Sequence, residues 1–329
     1  MYQPREDRYQ TMRYNRCGKS GVLLPEISLG LWHNFGESNT YTSCKEMVCG
    51  AFDLGITHFD IANNYGPPAG SAEEVFGRIL HEELKSHRDE LFVSTKAGFF
   101  MWDGPYGEWG SKKQLVSSLD QSLKRLGLEY VDLFYHHRPD PNTPLEETVD
   151  ALKLIVQQGK ALYVGISNYS AEETAQIVRE FDRANLHCLI HQVPYSMFNR
   201  TAEEGLFDVL EENVIGAIAF MCLAQGILTS KYFNGIPADS RAASASVFLQ
   251  PDAVTPEKVE KAKKLNVIAE QRGQSLSQMA LAWCMRIKPV SSILIGASRL
   301  SQIEENVKMM EHTAFTADEL AEIDRILAN

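Results

Sequence analysis

The chain has 329 residues, 44% of them hydrophobic and 23% charged, the make-up of an ordinary globular protein with ample material for a core. A formal net charge of −11 argues against a nucleic-acid binder, whose footprint is basic, yet leaves room for a local basic pocket. The polar start MYQPREDRYQ lacks a secretory apolar region and the longest apolar run, Val214 to Ala224, is too short to span a bilayer, so a cytoplasmic protein without membrane insertion is expected.

MRYNRCGKSGVLLPEISLG reads as two short strands joined by CGKSG, whose glycines suit a hairpin loop. Strand and helix then alternate. ISLG, at Ile27 to Gly30, precedes a helical pattern at about Thr42 to Leu54; THFD precedes Ala72 to Leu84; ELFVSTK precedes Gln114 to Leu126. YVDLFYHH precedes Leu145 to Gln157, ALYVGIS precedes Ala171 to Phe181, and HCLIHQ precedes Ala202 to Glu212. VIGAIAF precedes a long irregular stretch and helices, SSILIG precedes Leu300 to Met310, and an extra helix is expected at Ala317 to Leu327.

The helical readings rest on stripes such as Leu115, Leu119, Leu123 and Leu126, or Leu145, Val149, Leu152 and Val156. The strands are nearly continuous apolar runs, as in a parallel sheet covered on both faces. Gly55, Gly127 and Gly159 follow three of the helices, where a left-handed closing residue favours glycine. Eight such units predict a closed α/β barrel, the (β/α)8 TIM fold, as one domain over residues 1–329 with a short N-terminal hairpin. Long loops are expected after barrel strands 3 and 7, at Gly98 to Lys113 and Ala224 to Pro256, on the face where such loops act as lids. Six scattered cysteines without CxxC or zinc spacing read as reduced thiols, and no metal site is expected.

In such a barrel the carboxyl ends of the strands meet at one face, so residues distant in sequence converge there. Asp60 and Tyr65 in HFDIANNYGP, Lys96 in LFVSTKAG and His137 in VDLFYHHRP each follow an apolar run. Together they suit carbonyl reduction. A carbonyl that receives hydride becomes an alkoxide and needs a proton donor. Tyr65 would serve if the Lys96 ammonium favours its phenolate, with Asp60 holding Lys96 charged. An ammonium at about 4 Å and an effective dielectric near 20 contributes roughly 4 kcal/mol, which bounds the depression at about three pH units. His137 would orient the carbonyl and donate to its oxygen, with His136 competing for the role. Singly, each residue has a plainer reading: a turn cap, a loop aromatic, a solvated strand end, a rim histidine.

GITHFDIANNYG, STKAG, the strand-end His137, GISNYS, IHQVPYS and IGASRLSQIEENV resemble, in order, the signature segments of the aldo-keto reductase superfamily, from about Tyr14 to Asn329. GLWHNFG, NNYGPPAGSAEEVFG and LAQGILTSKY most resemble its bacterial L-glyceraldehyde 3-phosphate reductase group, itself close to voltage-gated potassium-channel β-subunits. The resemblance implies NADPH bound without a Gly-rich loop, and this chain has no GxGxxG after its first strand. It implies Asp60, Tyr65, Lys96 and His137 as the catalytic tetrad, with Tyr65 the proton donor. Ser167, Asn168 and Gln192 match the carboxamide-holding residues, Phe220 the aromatic that stacks on nicotinamide, and Trp32 also falls at the cofactor. Leu223, Gln225, Gly226 and Lys231 fall in the pyrophosphate-covering loop, Met221, Cys222, Ala224 and Arg241 are further cofactor-binding positions, and Gly296, Ser298, Arg299, Gln302, Glu305 and Asn306 match the adenosine-phosphate site. A guanidinium at Arg299 favours a 2′-phosphate, hence NADPH.

One departure stands out: the family's Phe-Thr-Pro-Leu-Ala reads Phe220, Met221, Cys222, Leu223, Ala224 here. Cys222 is then either an oxidisable thiol near the nicotinamide or a small buried hydrophobe. Trp32, Trp102 and Tyr65 would wall the substrate pocket, with His33, Asn34, His137 and Arg138 as polar contacts. Arg138 suits a phosphorylated aldehyde, or equally a structural salt bridge. The expected reaction is NADPH-dependent reduction of small aldehydes such as L-glyceraldehyde 3-phosphate or methylglyoxal, and the relatives' symmetric assemblies make a homo-oligomer the implied state. Two rivals are an NADP(H)-binding redox sensor like the channel subunits and an isomerase or aldolase with Lys96 as Schiff base.

Overall fold

Backbone pairing follows the apolar runs. The computed structural model describes residues 2–238, 240–243 and 249–328. Strands β1 (Tyr14–Arg16) and β2 (Leu23–Pro25) form an antiparallel hairpin. The barrel strands are β3 (Ile27–Gly30), β4 (His58–Asp60), β5 (Phe92–Ala97), β6 (Val131–His136), β7 (Ala161–Ser167), β8 (Cys188–Pro194), β9 (Gly216–Phe220) and β10 (Val290–Ile295). All pair in parallel with their neighbours, and β10 closes on β3, so the eight-stranded barrel predicted from the alternation is present.

The covering helices are α1 (Tyr41–Asp53), α2 (Ser71–Ile79), α3 (Lys112–Leu126), α4 (Leu145–Gln157), α5 (Ala171–Arg183), α6 (Leu206–Glu212), α7 (Pro256–Gln271), α8 (Leu276–Met285), α9 (Leu300–Val307) and the extra α10 (Ala317–Ala328). Several start on side-chain caps: Ser111 accepts from the Gln114 amide, and Ser170–Glu173 and Ser275–Gln278 form capping boxes. Gly127 closes α3 in the left-handed region at φ 66°, as its position predicted.

Three helices differ from their sequence expectation. The helix expected over Ala202 to Glu212 breaks, because Gly205 sits at φ 100°; a single turn at Thr201–Glu203 precedes α6. The stripe from Ala72 widens after Ile79 into a π-turn over Leu80–Leu84 and tightens again over Lys85–Glu90. After Val307, α9 winds down into a 3-10 turn at Lys308–Glu311.

The main core lies between strands and helices and includes Ile27, Phe59, Phe76, Leu119 and Leu152. Each such buried side chain contributes about 2 kcal/mol of transfer free energy. A second cluster fills the barrel's amino-terminal end, where Cys17, Val22 and Leu24 of the hairpin meet Leu133, Tyr135 and Ile218. The hairpin thus closes that end and leaves access at the carboxyl ends of the strands. Higher in the interior the buried side chains turn polar: Ser28, His58, Ser94, Asp60 and Lys96. Among the described residues, no helix is long and apolar enough to cross a membrane.

Candidate active site

Asp60 ends β4 and lies in register with Ser94 of β5; Lys96 follows two residues on, so both point inward on the same pleat. The Lys96 ammonium makes an ion pair with Asp60 Oδ2 and donates to the Ile61 carbonyl at 2.7 Å. Asp60 Oδ1 accepts from Ser94 Oγ at 2.6 Å and from Gln192 Nε2 at 3.1 Å. Both charged groups are fully buried, and hydrogen bonds at every carboxylate position make that burial tolerable.

Tyr65 stands in the loop after β4, held because its amide donates to Ala62 and its carbonyl accepts from Gly70. Its ring centre lies 5.0 Å from Lys96 Nζ, stacks on Trp32 at 5.8 Å and meets the His137 ring edge-on at 6.0 Å. His137 packs in turn on Phe99 at 4.6 Å. The competing His136 faces away, its Nδ1 against the Tyr169 hydroxyl at 2.6 Å. The four sequence-selected residues therefore converge, and the strand-end histidine among them is His137.

Electrostatics correct one expectation. Burial, and then the Asp60 carboxylate, raise the Tyr65 phenol well above its ordinary range; Lys96 does not depress it. Burial likewise lowers Lys96 against the opposing pull of Asp60. His137 is held well below its usual value by burial, then by Lys96, His136 and Arg138. At neutral pH the site therefore presents a protonated phenol and a neutral imidazole.

Ser167 and Gln192 are register partners on β7 and β8, and Ser167 Oγ donates to the Gln192 carbonyl at 3.0 Å. Asn168, left-handed at φ 63°, donates from Nδ2 to the His137 carbonyl at 2.9 Å and to Ser167 Oγ at 3.1 Å. That leaves its Oδ1 as acceptor beside a hydroxyl and a second amide, a set matched to a carboxamide. Beyond Phe220, Met221, Ala224 and Gln225 all adopt positive φ (59°, 46° and 57°), ahead of Gly226 at 97°. Such strain in non-glycine residues clusters at ligand clamps. Gln225 Oε1 is buried there with no protein partner. These features fit a nicotinamide dinucleotide. Cys222 is buried with Sγ toward the Ala219 carbonyl, the packing of a small hydrophobe. Leu223 is half-buried and Lys231 exposed. The side chain of Arg241 lies outside the described residues.

After β10, Gly296, Ser298 and Arg299 are exposed at the start of α9. Gln302 Oε1 accepts from the Ser298 amide at 2.8 Å, and Arg299 Nε donates to Ser301 Oγ at 3.1 Å. Asn306 is buried behind them. Glu305 accepts from Gln278 at Oε1 (2.9 Å) and pairs with Lys308 at Oε2, contacts that also brace the neighbouring helices.

Of the substrate candidates, Trp32 and His33 have ring centres 3.6 Å apart, tilted by 31°, beside Tyr65. Asn34 donates instead to the Ala297 carbonyl at 2.8 Å, which ties it to the loop after β10. Trp102 is half-buried in the loop after β5. Arg138 is clamped: its guanidinium lies between Phe99 (4.2 Å) and Trp109 (3.9 Å), pairs with Glu108 and donates to the Gly98 carbonyl at 3.1 Å. The salt-bridge reading of Arg138 is thus present, and an anion there would compete with Glu108. Ser94 and His58 were not selected from sequence. The signal was available, since each sits two residues before a tetrad member, on the same face of its strand. Among the described residues, no cluster of three or more His, Cys, Asp or Glu could hold a metal.

A model of the aldo/keto reductase family matches residues 26–328. The chain is 54% identical over 327 residues to an L-glyceraldehyde 3-phosphate reductase of Escherichia coli O157:H7, covering 98% of this chain and 94% of that one. The protein of the same description in strain K12 matches with the same identity and coverage. A probable voltage-gated potassium channel subunit beta of Arabidopsis thaliana is 38% identical over 304 residues, covering 91% of this chain and 92% of the other.

Proposed function

The chain belongs to the aldo/keto reductase family and is an oxidoreductase, and from that premise we propose that it reduces small aldehydes with NADPH, Tyr65 supplying the proton. The observation that carries the reading is the buried Lys96–Asp60 pair beneath Tyr65, with neutral His137 edge-on to the same ring. L-Glyceraldehyde 3-phosphate is the first substrate to test, since the E. coli relatives carry that name; methylglyoxal is the second.

The bound dinucleotide supplies the hydride. The remaining tasks fall to the chain's own side chains. His137, held neutral, has one N–H to offer the carbonyl oxygen and so polarises it. As the carbonyl carbon gains hydride, its oxygen takes the phenolic proton of Tyr65, leaving a transient phenolate. Lys96, whose ammonium lies 5.0 Å from the ring centre, would offset part of the burial cost of that phenolate, and Asp60 would keep Lys96 charged and aimed. Ser167, Asn168 and Gln192 would hold the carboxamide, while the Met221 to Gly226 loop would cover the pyrophosphate. Arg299, at the solvent edge, would engage a 2′-phosphate.

Multiple-turnover oxidation of NADPH in the presence of either aldehyde, absent in Tyr65→Phe, tests the reading. NADPH bound tightly without turnover on a panel of small aldehydes would overturn it in favour of a sensor like the channel subunits.

A further inference from the structure

Below the site, a line of buried polar side chains crosses the barrel interior from β10 through β3 and β4 to β5. Ser292 Oγ lies 2.7 Å from Ser28 Oγ, and Ser28 Oγ lies 2.8 Å from His58 Nδ1. His58 Nε2 lies 2.9 Å from Ser94 Oγ, which is 2.6 Å from Asp60 Oδ1. All five residues are 0% exposed.

The direction of every bond follows from its last member. A carboxylate only accepts, so Ser94 gives its single hydroxyl proton to Asp60. Ser94 must then accept from His58, which places the imidazole proton on Nε2. Burial pushes His58 down to about 4, so the ring is neutral near pH 7 and Nδ1 is bare. Nδ1 therefore accepts from Ser28, and Ser28, its own proton committed, accepts from Ser292.

We propose that this line is a one-way series of donors aimed at Asp60, which makes Ser94 and His58 positioning residues for the Lys96–Tyr65 couple. An apolar barrel interior would fold at lower desolvation cost, since buried polar networks are tolerable only when complete. What the polar line adds is an anionic, fixed Asp60, without which a fully buried Lys96 would surrender its proton. The other groups acting on Asp60 are Lys96 of β5, Tyr135 of β6, Tyr65 of the loop and the neutral donor Gln192 of β8. Only Lys96 among them carries a compensating charge. The inference rests on the proposed reductase reading for its kinetic consequence, and on the hydrogen-bond geometry with a neutral His58 for its polarity.

Both halves are testable on the whole chain. With 15N-labelled histidine, nuclear magnetic resonance should show His58 as the Nε2–H tautomer, unchanged from about pH 5.5 to 8.5. Ser94→Ala should abolish that tautomer preference. It should also lower kcat about tenfold, with aldehyde KM and NADPH Kd within about twofold, as expected for loss of one bond to a charged group. The acid limb of the kcat profile should move to higher pH by about one unit, and Ser94→Thr, which keeps the hydroxyl, should recover most of both effects. A purely structural role would scale kcat and leave the limb in place, which overturns the proposal. If the wild-type chain turns over no aldehyde, the functional reading fails, yet the inference is still decided by labelling the Asp60 carboxyl carbon. An Nδ1–H tautomer, or an Asp60 carboxyl that titrates alike in wild type and Ser94→Ala, overturns it regardless of activity.

Discussion

The His137 ring meets the edge of Tyr65 at 6.0 Å while its neighbour His136 is turned against Tyr169, so adjacent histidines serve opposite sides of one strand. His137→Ala should therefore reduce kcat/KM by about a hundredfold or more, because it removes the group placed to polarise the carbonyl. His136→Ala should alter stability with kcat/KM within a fewfold. Equal kinetic losses in the two variants would contradict the assignment.

Lys96→Met should abolish reduction and also destabilise the fold, since it leaves the buried Asp60 carboxylate without its cation. The expected loss is about 3–5 kcal/mol in urea unfolding. Adding Asp60→Asn to Lys96→Met should restore much of the stability and none of the turnover. A double variant no more stable than Lys96→Met would show that the ion pair is not what makes the single change costly.

Stability should fall with acid in a defined window. His58, His136 and His191 are each pushed by burial from 6.5 to about 4. Below pH 6.5 the unfolded chain binds protons that the folded chain refuses, so stability rises with pH across this range and is flat above it. Each histidine contributes roughly 3 kcal/mol to the loss on going down to pH 4. Urea midpoints that stay constant between pH 6.5 and 4 would refute this.

Arg299→Ala should weaken NADPH binding about tenfold or more while leaving NADH binding nearly unchanged, because the exposed guanidinium would contact only the 2′-phosphate. Fluorescence titration with both dinucleotides measures the ratio. Equal weakening would place Arg299 elsewhere in the binding surface.

Glu108 and Arg138 can be separated by their effects on substrate choice. Glu108→Ala releases the guanidinium from its carboxylate and should raise the preference for a phosphorylated over an unphosphorylated aldehyde by about fivefold. Arg138→Ala should lower the same preference. If neither changes the ratio, Arg138 is a clamp for the loop and nothing more.

The barrel was legible because each strand is an apolar run flanked by a striped helix, and because glycines such as Gly127 sit where a chain must turn left-handed. Gly205 misled for the same reason: a glycine inside an apolar stripe reads as tolerated, whereas here it takes φ 100° and splits the helix. Residue types at strand ends pointed to Asp60, Tyr65, Lys96 and His137. The direction of the Tyr65 shift was not legible, since it depends on how deeply the fold buries the ring and on the Asp60 carboxylate lying near it. Arg138 shows a second limit. Its partner Glu108 lies in an aperiodic loop, with no spacing rule linking the two.

That loop also restrains how the protein can diversify. Gly98, next to the strand that carries Lys96, accepts both the Trp109 amide and the Arg138 guanidinium. The segment best placed to meet new aldehydes is therefore fastened to the strand ends that carry the candidate site. Single changes at Glu108 or Arg138 can tune the preference between related aldehydes, but rebuilding the segment for a different substrate class would require exchanging Glu108, Trp109 and Arg138 as a set, because together they fasten it to Gly98.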